Sequence, residues 1–170
     1  KTGIIRLEDV ERHQQFQSKS AVAGEPLHGV RRSMAISMRQ SHQEVVAVSL
    51  FDDADVHHWT KDTDITVTII KTLIQACQQE PALNAWFDGE NLARQIHQDI
   101  HLGLAVDTDE GLFVPVIHNV NTLPEQEIRN KINELKKKVK DRTLPPEAFK
   151  NATISLSNFG NFAGKYASPI

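Results

Sequence analysis

The stretch LPEQEIRNKINELKKKVKDRTL, residues 123–144, constrains the fold more than any other. Ile128, Ile132, Leu135 and Val139 recur at helical spacing and form one apolar stripe. Glu125 and Glu127 come early and Lys136, Lys137, Lys138 and Lys140 late, the order that a helix dipole favours. Leu144-Pro145-Pro146 stops the element, because proline cannot continue the amide ladder. A helix apolar on one stripe only must lay that stripe on a second layer.

The rest of the chain supplies candidates for that layer. From His28 to Gln43 the pattern predicts an amphipathic helix with Val30, Met34, Ile36 or Ser37, and Met38 near one face. Val67, Ile70, Ile74 and Cys77 keep helical spacing up to Pro81, which predicts another. The segment EVVAVSLFDDADV alternates. It predicts a strand with Val46, Val48 and Leu50 on one side and Val45, Ala47, Ser49 and Phe51 on the other. LNAWFDGE reads as a strand entering an Asp-Gly turn, and IHLGLAVDTDEGLFVPVIHNV as two strands joined through residues 107–111. ATISLSNF returns to a strand. Helices and strands alternate around a central hairpin, so the expected class is α/β (α+β), a sandwich of helices on a mixed sheet.

Composition narrows the function classes. Hydrophobic residues make up 39% of the 170 and charged residues 24%, which suits a globular domain rather than a disordered one. A formal charge of −3 provides no global field for nucleic acid. The one cysteine, Cys77, cannot close an internal disulfide, and its place in a helical apolar register predicts a buried structural thiol. Apolar runs fall far below the roughly 20 residues that span a bilayer, and KTGIIRLEDV lacks the core of a secretory signal. A soluble intracellular protein is expected, with no membrane partner. The first 24 residues differ from the rest: GIIRLEDVERH resembles the end of a small helical unit and QQFQSKSAVAGE a linker, with a boundary near Gly24.

Several motifs invite stronger readings. G-N-F-A-G-K near the end fails as a phosphate loop. Three residues separate Gly160 from Gly164 where four are needed, and Tyr166 follows Lys165 in place of Ser or Thr. His97 and His101 stand four apart, but Gln98 follows His97 where a zinc helix carries Glu, so exposed or edge histidines are expected and no metal site. The four lysines occupy the polar side of a patterned helix, a solvated face that could also guide a phosphorylated cofactor. Arg31 and Arg32 are adjacent, so only one can face inward, and an inward arginine needs a carboxylate. Asn84-Ala-Trp-Phe-Asp88-Gly89 is a near miss for His-x-x-x-Asp-Gly, but asparagine cannot take a proton, and the Asp-Gly is explained as a turn.

Four segments in order, GVRRSMAISMRQS, EVVAVSLFDDADV, IHLGLAVDTDEGLFVPVIHNV and ATISLSNFGNFAGKYASPI, resemble the catalytic domain of dihydrolipoamide acyltransferases, the core components of 2-oxoacid dehydrogenase complexes. The hairpin GLAVDTDEGLFVPVI and the strand-turn TISLSNFG carry the specificity. The resemblance implies a chloramphenicol acetyltransferase-like two-layer sandwich, incomplete at the C-terminus. It divides the chain into the tail of a peripheral subunit-binding domain (1–13), a flexible linker (14–24) and the first two-thirds of a catalytic domain (25–170). The implied reaction moves an acyl group, acetyl in pyruvate dehydrogenase, from dihydrolipoamide on a separate lipoyl domain to coenzyme A. The implied assembly is a homotrimer within a larger core, served by 2-oxoacid decarboxylase and dihydrolipoamide dehydrogenase subunits, in bacterial cytoplasm or mitochondrial matrix.

By match to the family's Ser-Asn segment, Ser157 would donate to the oxyanion of the tetrahedral intermediate, with Ser155 second in line and Asn158 shaping the turn and binding substrate. Arg31 matches an arginine that pairs with the aspartate of the catalytic motif. That His-x-x-x-Asp-Gly motif lies downstream of YASPI in the family, and none of the eight histidines here stands in it. The 170 residues by themselves are therefore expected to be inactive and, with core exposed, prone to aggregate. A non-catalytic scaffold on the same fold is the rival expectation, and an acyltransferase with another acceptor a third.

Overall fold

The computed structural model describes residues 24–109 and 111–159. The sequence expectations for residues 1–23, and for the glycines and lysine of 160–165, lie outside the described residues.

Helix α1, Gly29–Glu44, starts from His28 and forms where expected, but its apolar face is narrow. Val30 and Met34 are half-buried, whereas Ile36 and Met38 are 41% and 42% exposed. Helix α2, Ile65–Gln79, is capped by Asp64, whose carboxylate accepts from the Val67 amide, and it buries Val67, Ile70 and Cys77 as the spacing predicts. Helix α3, Glu125–Lys140, buries Ile128, Ile132 and Val139, with Leu135 packed against the core.

Among the described residues seven short strands form three sheets. β1 (Ala85–Asp88) and β2 (Ala93–Ile96) make an antiparallel hairpin through the expected Asp-Gly turn. Asp88 accepts from the Glu90 and Asn91 amides and from Asn91 Nδ2, which fixes the turn and holds its carboxyl below the usual range. The region expected as two strands is broken into four: β3 (Leu102–Leu104), β4 (Val106–Thr108), β5 (Gly111–Phe113) and β6 (Val116–Ile117). β4 and β5 close the expected hairpin, tied by Thr108 Oγ1 donating to Gly111 O at 2.8 Å. Gly111 has φ +138°, which glycine accommodates readily. β7 is Ile154–Leu156.

The central sheet runs β6-β3-β7, with β3 antiparallel to β6 and parallel to β7, so it is mixed as expected. One face of it is covered by α2 and α3. Ile70, Ile128 and Ile132 meet Leu102, Leu104 and Ile117 in a single core. Arg129 of α3 donates to both carboxylate oxygens of Asp64, so the cap of α2 also fastens the two helices together. Cys77 is buried in this core, and burial pushes its thiol pKa up, in keeping with a structural thiol.

One expected strand does not form. Residues 45–56 carry no secondary structure, and Val46, Val48 and Leu50 are 90%, 89% and 96% exposed. Alternation marks what a strand's two faces would bury, but the ladder itself needs a neighbouring strand. Among the described residues none pairs with this segment.

Candidate active site

The site is built at the C-terminal end of β7. Register there is set from the other end of the strand. Thr153 donates its amide to His101 O at 2.8 Å, and its hydroxyl accepts from the His101 amide at 3.0 Å. Trp86 Nε1 donates to Ala152 O at 2.8 Å, anchoring the approach to β7 on the first hairpin. Leu102, Gly103 and Leu104 then stand opposite Ile154, Ser155 and Leu156, and Ala105 donates to Leu156 O at 2.9 Å. That bond ends the ladder, and Ser157 and Asn158 leave the sheet together.

Ser157 is exposed, and its hydroxyl makes no hydrogen bond among the described residues. Asn158 lines a cavity of about 520 Å³ between β4 and the end of α3, with Asp107, Thr108, Lys136, Lys140 and Arg142 on its walls. Ser155 sits lower on the strand. Its Oγ lies against Gly103, where an added Cβ would come within 2.9 Å of it. Both serines are exposed, Ser155 within the ladder and Ser157 just past its end.

The other expected residues are placed as follows. Arg31 and Arg32 are both exposed on α1, and neither forms an ion pair among the described residues. α1 approaches the β4–β5 hairpin through Val30 and Met34, which stand nearest Gly111. All four lysines of α3 are exposed, as a solvated face requires, yet Lys136 and Lys140 also line the cavity that Asn158 reaches. Lys138 pairs instead with Glu134 one turn back. Arg142, also on the cavity wall, has φ 55° just past the end of α3, and no sequence pattern drew attention to it. A non-glycine residue in that region is unusual, and its position shows only in the folded backbone.

Histidines 97, 101 and 118 gather elsewhere. His101 precedes β3 and faces Thr153, so it lies at the opposite end of the ladder from Ser157, four strand residues or roughly 13 Å away. His97 stacks on Trp86, with ring centroids 4.4 Å apart, and His118 meets His101 edge to face at 5.0 Å. Asn84 is buried and donates to His97 O and Asp99 O, a structural role with no part for a base.

Solved structures share this arrangement of helices on a mixed sheet. The truncated catalytic core of the 2-oxoacid dehydrogenase multienzyme complex from Thermoplasma acidophilum superposes with a TM-score of 0.78 at 22% identity, over 88% of this chain and 74% of that one. The dihydrolipoamide acetyltransferase of Azotobacter vinelandii, studied for a serine, a histidine and an asparagine in its catalytic mechanism, also gives 0.78 at 22% identity, over 100% of this chain and 73% of that one. Residues 19–170 match the 2-oxoacid dehydrogenases acyltransferase family (catalytic domain), and the chain belongs to that family. A Mycoplasma capricolum relative, the dihydrolipoyllysine-residue acetyltransferase component of pyruvate dehydrogenase complex, is 34% identical over 159 residues. That match takes in 85% of this chain and 36% of the relative, so the chain spans a little over a third of that protein.

Proposed function

We propose that this chain is part of an acyltransferase that carries an acyl group from dihydrolipoamide to coenzyme A, acetyl within a pyruvate dehydrogenase complex. Family membership and the named bacterial relatives support the class. Support for Ser157 comes from its match to the family's Ser-Asn segment, together with its exposed place just past the end of β7. A thiolate attacking a thioester carbonyl leaves an oxyanion, and a hydroxyl held there donates to it, an effect worth roughly 10²–10³ in rate.

The coenzyme A thiol must lose its proton to a base, for which histidine is suited near neutral pH. His97, His101 and His118 stand at the wrong end of the sheet for this, so the base is a different residue. On this reading the serine of the Azotobacter enzyme corresponds to Ser157, and its histidine and asparagine to residues outside those described. Arg31 pairs with an acid of that segment and steadies it. Asn158 shapes the substrate-facing turn. Lys136 and Lys140, which share the neighbouring cavity with Asp107, Asp109 and Arg142, would reach toward the phosphates of coenzyme A.

The wider setting follows the same reading. Residues 1–13 end a subunit-binding domain and 14–24 form a linker. The catalytic domain forms trimers within a larger core, in a bacterial cytoplasm, alongside decarboxylase and dihydrolipoamide dehydrogenase subunits.

The test is acyl transfer to coenzyme A by the assembled protein. Ser157→Ala should lower kcat by about 10²–10³ with KM for dihydrolipoamide nearly unchanged. Unaltered turnover would overturn the assignment, and a comparable loss in Ser155→Ala alone would move it to Ser155. Absence of transfer in every form would favour a scaffold.

A further inference from the structure

The histidine group at the N-terminal end of β3 has no part in the chemistry above. The turn at residues 118–122, which follows β6, is held to the start of β3 by three bonds. Val120 donates its amide to Ile100 O at 2.9 Å, the Ile100 amide donates to Asn121 Oδ1 at 3.0 Å, and the Asn119 amide donates to His101 Nδ1 at 3.1 Å. The first two use groups that do not titrate. The third does. A backbone N–H can only donate, so His101 Nδ1 must present its lone pair, and a neutral ring then carries its proton on Nε2. A protonated ring has hydrogen on both nitrogens and cannot accept. Asn119 itself has φ 51° and ψ 41°, a left-handed conformation that asparagine adopts more readily than most non-glycine residues.

We propose that His101 is an acid-sensitive latch on the 118–122 turn, closed when its ring is neutral and open when it is protonated. The titratable groups facing it come from the turn and from the segment before β3. His118 comes from the turn, and His97 and Asp99 come from the residues between β2 and β3. From the approach to β7 the facing residue is Thr153, which is uncharged. His118 and His97 oppose a charge on the His101 ring. Asp99 alone favours the protonated ring. Burial and the histidines outweigh it, so the ring's pKa is lowered, with burial the largest cause. With the folded value below the unfolded one, the latch contributes fully above the ordinary histidine range. Its contribution is lost as pH falls through the lower, folded value. Opening stays local, because the two bonds at Ile100 remain and Val120 is buried in the core.

Amide hydrogen exchange and ring-nitrogen NMR on the ¹⁵N-labelled assembled protein test this. At pH 7.5 the His101 proton should reside on Nε2. Between pH 7.5 and 5.0, protection of the Asn119 amide, corrected for intrinsic exchange, should fall about fivefold or more while that of Ile100 holds. In His101→Asn the side-chain oxygen can accept but does not titrate, and the pH dependence of Asn119 should vanish. In His118→Asn it should persist. A proton on Nδ1 at pH 7.5, which needs no variant to observe, would overturn the latch. So would protection unchanged across the range, or a dependence abolished by His118→Asn and not by His101→Asn.

Discussion

At the scale of single residues, the site depends on how closely two backbones approach. Gly103 lies opposite Ser155, and an added Cβ would come within 2.9 Å of Ser155 Oγ and 3.0 Å of Val114 Cγ1. Contacts under 3.0 Å force a shift, and here the strands are pinned on both sides by β6 and β7. Gly103→Ala should therefore destabilise the fold by about 1–3 kcal/mol, read from urea unfolding, and disturb the lead into Ser157. An unchanged midpoint would show that β7 can move aside. The same scale explains what the sequence concealed. Asn84 looked like a degraded catalytic position, but its amide donates to two carbonyls of the following strand region. Those carbonyls are tens of ångströms of chain away along the backbone and adjacent only after folding.

At the scale of elements, Asp64 links two helices. Its carboxylate caps α2 through the Val67 amide and receives Arg129 from α3, whose side chain is the largest influence holding the Asp64 pKa below its ordinary value. Asp64→Ala should cost about 1–2 kcal/mol near neutral pH, the sum of a lost cap and a partly exposed ion pair. The folded state favours the ionised carboxylate, so this contribution is complete above the usual carboxylate range and fades as pH falls through the lower, folded value. The gap between variant and wild type should narrow at about pH 3 relative to pH 7. A gap equal at both would mean the carboxylate's charge contributes nothing. Both helices were legible because their bonds close four residues back and their stripes show as spacing. The capping aspartate was not singled out, since its second partner stands 65 residues away.

At the scale of the molecule, the exposed segment at residues 45–50 is what sets the described structure apart from a closed sandwich. Val46, Val48 and Leu50 present nearly all their surface. Val48→Asp should change unfolding stability by less than about 0.5 kcal/mol, as exposed substitutions do, while reducing self-association measured by sedimentation. A loss of several kcal/mol would show that the segment is buried in solution. The sheet order β6-β3-β7 belongs to this scale as well. β3 meets β6 after the intervening β4–β5 hairpin but meets β7 only across a whole helix, α3, and the parallel pairing of Leu102 with Ile154 leads the chain on to Asn158 at the cavity wall.

The chain by itself determined its three described helices, the β4–β5 hairpin and the Asp88 turn, because each is closed by bonds between residues a few positions apart and so is written in local spacing. It also carried, in TISLSNFG and the preceding hairpin, enough likeness to point to the acyltransferase family and to Ser157. Tertiary structure alone decided that the alternating segment after α1 joins no strand ladder among the described residues, that Lys136 and Lys140 share a cavity with Asn158, and that His101 faces the Asn119 amide. Each of those outcomes depends on a partner distant in sequence, and a strand's or a side chain's bonding capacity does not reveal which partner the packed core will bring to it.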